Sequence, residues 1–372
     1  MRWLFIDSWF KRRNPPESFP MKVLFVTRPS LLDHPGGDTL HVRQTRTALQ
    51  ALAVEVVLAS DLAPGQPHDF DLVHFFNLHR PYDLWPYRPF FRAKPLVVSS
   101  IFVQYPWPLP GDGKMRQQLY GWLGSAGTEY LKSLARALRG QEPAPPFFYW
   151  REGQAASIRW VLERSAALIT ATGAEAESIA HWGPLPERQL IQPPGADHVP
   201  EGPAPQPGRT GIVQAARVEP LKNQLNLVQA AQAAGLPLQI LGAVSRNHQN
   251  YARAIEAAGG GAALKGSHSR EGVLNAMDQA RVHALPSFYE TTGLSTLEAL
   301  RRGCQIVVND HPIQRELWGE RAFYAYPAKA ESIKSALEQA YQAQDDHRAW
   351  VTEGFSWARM GQKIAELYRQ LI

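Results

Sequence analysis

Short apolar runs recur along the chain and alternate with stretches in which apolar residues return every three to four positions. Runs over 22–27, 55–59, 71–76, 95–102, 167–171 and 190–192 have the length and composition of buried strands. Helical periodicity falls over 41–52 and 174–182, and a long, partly helical insertion over 112–160. The pattern then repeats. Strands are expected over 211–215, 238–241, 263–265, 282–285 and 305–308, with helices over 224–234, 248–257, 270–279 and 295–302. Two further helices, 332–343 and 357–371, close the chain. Continuous apolar strands separated by amphipathic helices predict an α/β fold, with two mostly parallel sheets covered on both faces.

Between the halves, four prolines fall at 200, 203, 205 and 207, the composition of a linker. The expected organisation is an N-terminal extension 1–21, a first Rossmann-like domain 22–198, a linker 199–208, a second Rossmann-like domain 209–354 and a terminal helical segment 355–372.

With 372 residues, 44% of them hydrophobic, the chain can fill two full cores. Its single cysteine, Cys304, excludes a disulfide framework and fits a reducing compartment. No Cys/His group has zinc spacing. No run of eighteen apolar residues is present, so no spanning helix is expected. The first twenty residues place Lys11, Arg12 and Arg13 after an apolar run, the reverse of a secretory signal. The net charge of +5 is concentrated. Between residues 80 and 165, twelve Lys/Arg oppose six Asp/Glu, giving +6 there and −1 elsewhere. Aromatics are interleaved, among them Trp85, Trp107, Trp122 and Trp150. Such a surface suits an anionic partner, either a membrane face or a phosphorylated acceptor, and equally an ordinary solvated face. No nucleic-acid-binding motif accompanies it.

Candidate chemistry lies mainly in the second half. Residues 286–303 carry Glu290 and Glu298 on either side of a Thr/Gly turn that leads from a strand into a helix. A helix N-terminus offers unpaired N–H groups and the positive end of the dipole, a natural seat for phosphate. The two carboxylates suit hydroxyls better than phosphate. Arg217 ends the strand over 211–215, and Lys222 stands at the mouth of the next helix. Two cations five apart at a strand end can converge on one anion. In the first half, Gly36 and Gly37 form a loop whose backbone can approach a phosphate.

The run 286–303 resembles the donor-site signature of retaining GT-B glycosyltransferases, in particular family 4 (glycosyl transferases group 1). Pro286, Ser287, Glu290, Gly293, Leu294, Glu298, Ala299 and Gly303 match it. Thr291 and Ser295 replace a glycine and a proline usual there. The segment 193–197 resembles the Pro-Asn-Gly-Val-Asp that closes the family's first domain. The resemblance implies two Rossmann-like domains facing across a cleft, with the C-terminal helix crossing back to the first. It implies transfer of a hexose-type sugar from a nucleotide sugar to a glycan or lipid-linked acceptor, with retention of anomeric configuration. Arg217 and Lys222 would then hold the diphosphate and Glu290 the donor sugar. Glu298 would hold the ribose, with Gly36, Gly37, Gly242, Gly266, Thr292, Gly293 and Leu294 completing the donor site. No metal or other cofactor is expected. The histidine-bearing loop of many relatives is missing from 99–105, and Asn77 and His79 are the substitutes considered near the acceptor. The protein is expected in the cytoplasm, with the inner face of the membrane as a candidate contact. A non-catalytic relative within a glycan assembly complex, a sugar phosphorylase and a nucleotide-sugar epimerase are the alternatives the same fold allows.

Overall fold

The structure is a computed structural model. It describes residues 21–33, 36–62, 69–104, 109, 114–138, 140, 144–203 and 208–372. The expected extension and part of the linker therefore lie outside the described residues.

The first half runs β1 (Lys22–Val26), α1 (Gly37–Gln50), β2 (Glu55–Leu58), β3 (Leu72–Phe76), β4 (Leu96–Ser99), α2 (Lys114–Leu138), α3 (Phe147–Leu162), β5 (Ala167–Thr170), α4 (Gly173–Ala180) and β6 (Arg188–Ile191). The second runs β7 (Ile212–Ala215), α5 (Gln224–Ala233), β8 (Leu238–Leu241), α6 (Gln249–Ile255), β9 (Leu264–Gly266), α7 (Arg270–Gln279), β10 (Val282–Leu285), α8 (Leu294–Arg301), β11 (Gln305–Asn309), α9 (Pro312–Trp318) and β12 (Phe323–Ala325). Helices α10 (Ala330–Gln342), α11 (Arg348–Gly354) and α12 (Trp357–Leu371) follow.

Each half is built on a six-stranded sheet whose paired strands are all parallel, ordered β2-β1-β3-β4-β5-β6 and β12-β11-β10-β7-β8-β9. Strands β3, β4, β5, β10 and β11 are buried along their whole length, which is why they read as continuous apolar runs rather than alternating ones. Both orders reverse direction at one point, between β1 and β3 in the first sheet and between β7 and β10 in the second. A crevice opens at the carboxyl ends of the strands at such a point, and ligands of open α/β sheets bind there.

Helix α12 lies against the first sheet although it ends the chain. Trp357, Met360, Ile364 and Tyr368 join Val23, Phe25, Val42 and Leu49 in one core cluster. The crossing is fixed at its start. Asp197 accepts from the Ser356 hydroxyl at 2.8 Å and from the Trp357 amide at 2.9 Å. The Ala196 amide donates to the Phe355 carbonyl at 3.0 Å. Across the cleft, the Glu316 carboxylate on α9 accepts the amides of Gly173 and Ala174 at the start of α4, each at 2.7 Å.

The start of the first helix differs from expectation. Helix α1 begins at Gly37, not near residue 41, and the glycine pair is its cap and first turn rather than a free loop. Gly36 N–H donates to Thr39 Oγ1 at 3.0 Å, and that hydroxyl donates in turn to the Leu31 carbonyl. The insertion consists of α2 and α3, and most of its aromatic surface is spent internally. Trp85 stacks on Phe148 with ring centroids 4.6 Å apart, and Tyr130 on Tyr149 at 5.7 Å. Trp122 and Phe147 remain exposed. Cys304 is buried, its thiol pushed up to about 12 by burial, so it is a packing residue. Among the described residues no helix is long and apolar enough to cross a membrane.

Candidate active site

The two switch points open onto a single cleft with a volume of about 840 Å³, lined by residues of both halves. Arg217 follows β7, Gly242 follows β8, and Glu290 to Leu294 follow β10. From the first sheet, Arg28 and Gly36–Gly37 follow β1, and Asn77 and His79 follow β3.

The turn that carries Lys222 and the segment after β10 are stitched together by backbone and amide bonds. Asn223 Nδ2 donates to the Pro286 carbonyl at 2.9 Å, and the Phe288 amide to the Leu221 carbonyl at 2.9 Å. Asn223 takes a left-handed conformation at φ 60°, where asparagine is among the better-tolerated residues, and this turns the chain into α5. The result brings Lys222 Nζ to 2.6 Å from Glu290 Oε2, with both side chains largely buried. Gln314 Nε2 braces the turn from α9 by donating to the carbonyls of Glu290 and Thr291 at 3.2 and 2.6 Å. Arg217 is the more open cation: its side chain is 68% exposed, and Glu219 lies 3.9 Å away.

Gly293 caps α8 at φ 68°, a conformation strained for any residue with a Cβ. Leu294 and Ser295, the first two residues of α8, line the cleft, and the leading N–H groups of a helix are those without an intrahelical acceptor. Gly37 faces this turn from the other half, since a Cβ placed on it would meet Leu294 Cδ1 at 3.5 Å. Gly242 is required by closeness, because a Cβ there would overlap the Ala216 carbonyl oxygen. Thr292 also lines the cleft and is buried.

Gly266 is the exception among the expected donor residues. It ends the outermost strand and does not line the cleft; its carbonyl accepts the Gly242 amide at 2.9 Å, so it backs the site rather than facing it.

Glu298 lies in the cleft wall but is not an open carboxylate. Arg270 grips it as a fork, Nη2 to Oε1 at 2.7 Å and Nη1 to Oε2 at 2.9 Å, and His198 Nε2 lies 3.1 Å from Oε1. Burial opposes its ionisation, but the bonds from His198 and Arg270 prevail and hold the carboxyl below its ordinary range. Sequence reasoning missed both partners. Arg270 opens α7 and His198 follows the closing segment of the first half, and no short motif joins either to Glu298.

On the opposite wall, His79 is not a plain surface side chain. Its Nε2 lies 3.2 Å from Glu129 Oε2, and Lys132 Nζ lies 2.6 Å from Glu129 Oε1. Glu129 is buried, which disfavours its charge, yet its contacts with His79 and Lys132 hold its carboxyl far below the usual range. Asn77 sits beside this cluster with φ 80°, and Ile101, after the neighbouring strand, has φ 37°. Non-glycine residues in such conformations cost of order 1–3 kcal/mol each and collect at functional sites. Glu175 also reaches the cleft, its carboxyl raised by burial, but it accepts from Ser100 Oγ at 2.6 Å and the Ala171 amide at 2.8 Å. Its signal was legible as a Thr-x-x-Glu capping box beginning at Thr172, whose Oγ1 accepts the Glu175 amide at 3.1 Å. Among the described residues no group of three or more His, Cys, Asp or Glu side chains is arranged to hold a metal ion.

Residues 200–357 match the family described as Glycosyl transferases group 1. No curated protein matches the chain in sequence. Among solved structures, sucrose-phosphate synthase from Thermosynechococcus elongatus superposes with a TM-score of 0.68 at 15% identity, over 94% of this chain and 99% of that one. HepE from Anabaena, in complex with UDP and glucose, superposes with a TM-score of 0.65 at 14% identity, over 94% and 100%. A UDP-forming α,α-trehalose-phosphate synthase from Burkholderia xenovorans gives 0.54 at 13%, over 90% and 79%. At these identities the likeness establishes the fold, and that fold is GT-B.

Proposed function

We propose, from the group 1 glycosyltransferase fold of this chain, that it transfers a hexose-type sugar from a nucleotide sugar to a glycan or lipid-linked acceptor with retention of anomeric configuration. The observation that carries this reading is the convergence at one switch point of Arg217, the Lys222–Glu290 pair and the open N-terminus of α8.

The chemistry follows from charge. Breaking the donor bond leaves negative charge on the departing diphosphate. Preorganised cations and amides aimed at that charge lower the barrier without reorganising during the step. Arg217 and Lys222 are the cations in place, and the amides at the start of α8 add the helix dipole. We assign the diphosphate charge to these groups rather than to a metal. Lys222 has a second task. Glu290 unpaired would repel the diphosphate, and the ion pair cancels that repulsion while leaving the second carboxylate oxygen for a sugar hydroxyl. On the other wall, His79, Asn77 and the Glu129–Lys132 pair offer donors and acceptors to the hydroxyls of an acceptor. Closure of the halves would exclude water.

The test is turnover of a panel of UDP-, ADP- and GDP-sugars in the presence of candidate glycans, with the anomeric configuration of the product read by NMR. An α-linked donor should yield an α-linked product. Conversion of the donor sugar with no acceptor present would instead identify an epimerase. Binding of the nucleotide with no turnover at all would identify a non-catalytic relative.

A further inference from the structure

Glu298, the carboxylate that the family resemblance assigns to the ribose, is joined directly to two parts of the fold and to a third through His198. Arg270 comes from α7, His198 from the segment after β6, and Trp357 from the first turn of the crossing helix. The indole N–H of Trp357 donates to His198 Nδ1 at 3.0 Å. An indole nitrogen can only donate, so Nδ1 is the acceptor and Nε2 carries the proton. Nε2 therefore donates to Glu298 Oε1. Arg270 Nη2 lies 3.2 Å from the same Nε2, but two donors cannot bond each other, and they meet through the shared carboxylate oxygen.

The acceptor sites of Glu298 can then be counted. A carboxylate has about four, two on each oxygen. Oε1 takes two bonds, from His198 and Arg270, and is full. Oε2 takes one, from Arg270 Nη1. We propose that Arg270 and His198 are positioning residues that hold Glu298 ionised and oriented so that it offers one acceptor site, on Oε2, to a single ribose hydroxyl. This assignment rests on the nucleotide-sugar reading of the cleft. A second ribose hydroxyl finds no free site on this carboxylate, because His198 and the fork of Arg270 occupy the other three. Removal of the fork would leave a buried carboxylate faced by His198 and, from β10, by the buried His283, which carries little positive charge because burial pushes it down to about 4. Such a carboxyl takes up a proton more readily as pH falls, and a protonated Glu298 is a poorer acceptor.

The experiment measures by calorimetry the affinity for UDP, 2′-deoxy-UDP and 3′-deoxy-UDP, or the corresponding forms of ADP or GDP if one of these is the nucleotide bound. The ratio between parent and deoxy form cancels the titration of the phosphate. In the wild type, one deoxy form should lose about tenfold or more and the other less than about threefold, with the ratios constant from pH 8 to 5.5. In Arg270→Gln the larger ratio should shrink severalfold as pH falls over that range. Arg270→Lys, which keeps the charge without the fork, should weaken the discrimination but leave it independent of pH, and serves if the first variant does not fold. Equal losses for both deoxy forms in the wild type, or a pH-independent ratio in Arg270→Gln equal to that of the wild type, would overturn the assignment. If UDP, ADP and GDP all fail to bind the wild type, the reading of the whole cleft fails first and this one with it.

Discussion

Lys222 Nζ stands 2.6 Å from Glu290 Oε2 across 68 residues of sequence, and this contact sets the electrostatics of the cleft. The pair offsets part of the Lys222 charge, so Lys222 acts on an anion against the pull of Glu290, beside Arg217 and the start of α8. Glu290→Gln removes a negative charge and releases Lys222. It should tighten binding of the free nucleoside diphosphate severalfold while slowing sugar transfer by 10²-fold or more, because the carboxylate oxygen meant for the sugar is lost. Calorimetry with the nucleotide and initial rates with the sugar donor check the two halves of this prediction.

Glu129→Gln addresses the opposite wall. The change keeps the shape but takes the charge from a buried side chain that holds His79 and Lys132. Nucleotide affinity should stay within about twofold of the wild type, and acceptor-dependent turnover should fall by one to two orders of magnitude. A parallel loss of nucleotide affinity would place Glu129 in donor binding instead.

His74 and His283 are buried and His41 is half-buried, and all three sit where the neutral imidazole is favoured. Burial lowers His41 and His283 to about 4 and His74 well below its ordinary value. The unfolded chain binds protons at these positions near pH 6.5, which the folded chain refuses. Their contribution to stability is therefore complete above about pH 6.5 and is lost as pH falls, levelling near pH 4 for His41 and His283 once the folded state also takes its protons. Each contributes up to about 1.4 kcal/mol per pH unit, so all three together give about 4 kcal/mol per unit below pH 6. Urea midpoints at pH 7.5 and 5.5 check this, and the first half, with two of the three, should unfold earlier.

Gly195 marks where the crossing helix meets the end of the first half. A Cβ there would overlap the backbone nitrogen of Trp357. Gly195→Ala should cost about 1–3 kcal/mol by forcing the start of α12 away from its seat. A melting temperature unchanged from the wild type would contradict the close approach.

The elements that carry an unbroken apolar run or a charged signature were legible in the sequence. Strands β7, β8, β10 and β11 lie within a residue of their expected places, since each is short, apolar and bounded by turn residues. The Arg217/Lys222 and Glu290/Gly293 groups line the cleft as their placement at strand ends implied. What failed was non-local. Helix α9 and strand β12 were not anticipated: α9 is brief and β12 has only three residues, too short for a period to show. The bracing of Glu298 was hidden because Arg270 and His198 reach it over 28 and 100 residues, a distance that motif spacing does not encode. The contact of His79 with Glu129 was hidden for the same reason, its partner lying on α2.

The central claim is that the cleft holds the diphosphate of a sugar nucleotide on Arg217 and Lys222. Isothermal titration with UDP, ADP and GDP and their common sugar derivatives, on the wild type and on Lys222→Met, tests it most directly. One nucleotide series should bind the wild type and lose at least tenfold in the variant, with circular dichroism showing the variant folded. If none of these nucleotides binds the wild type, or if the variant binds as tightly, the claim is wrong.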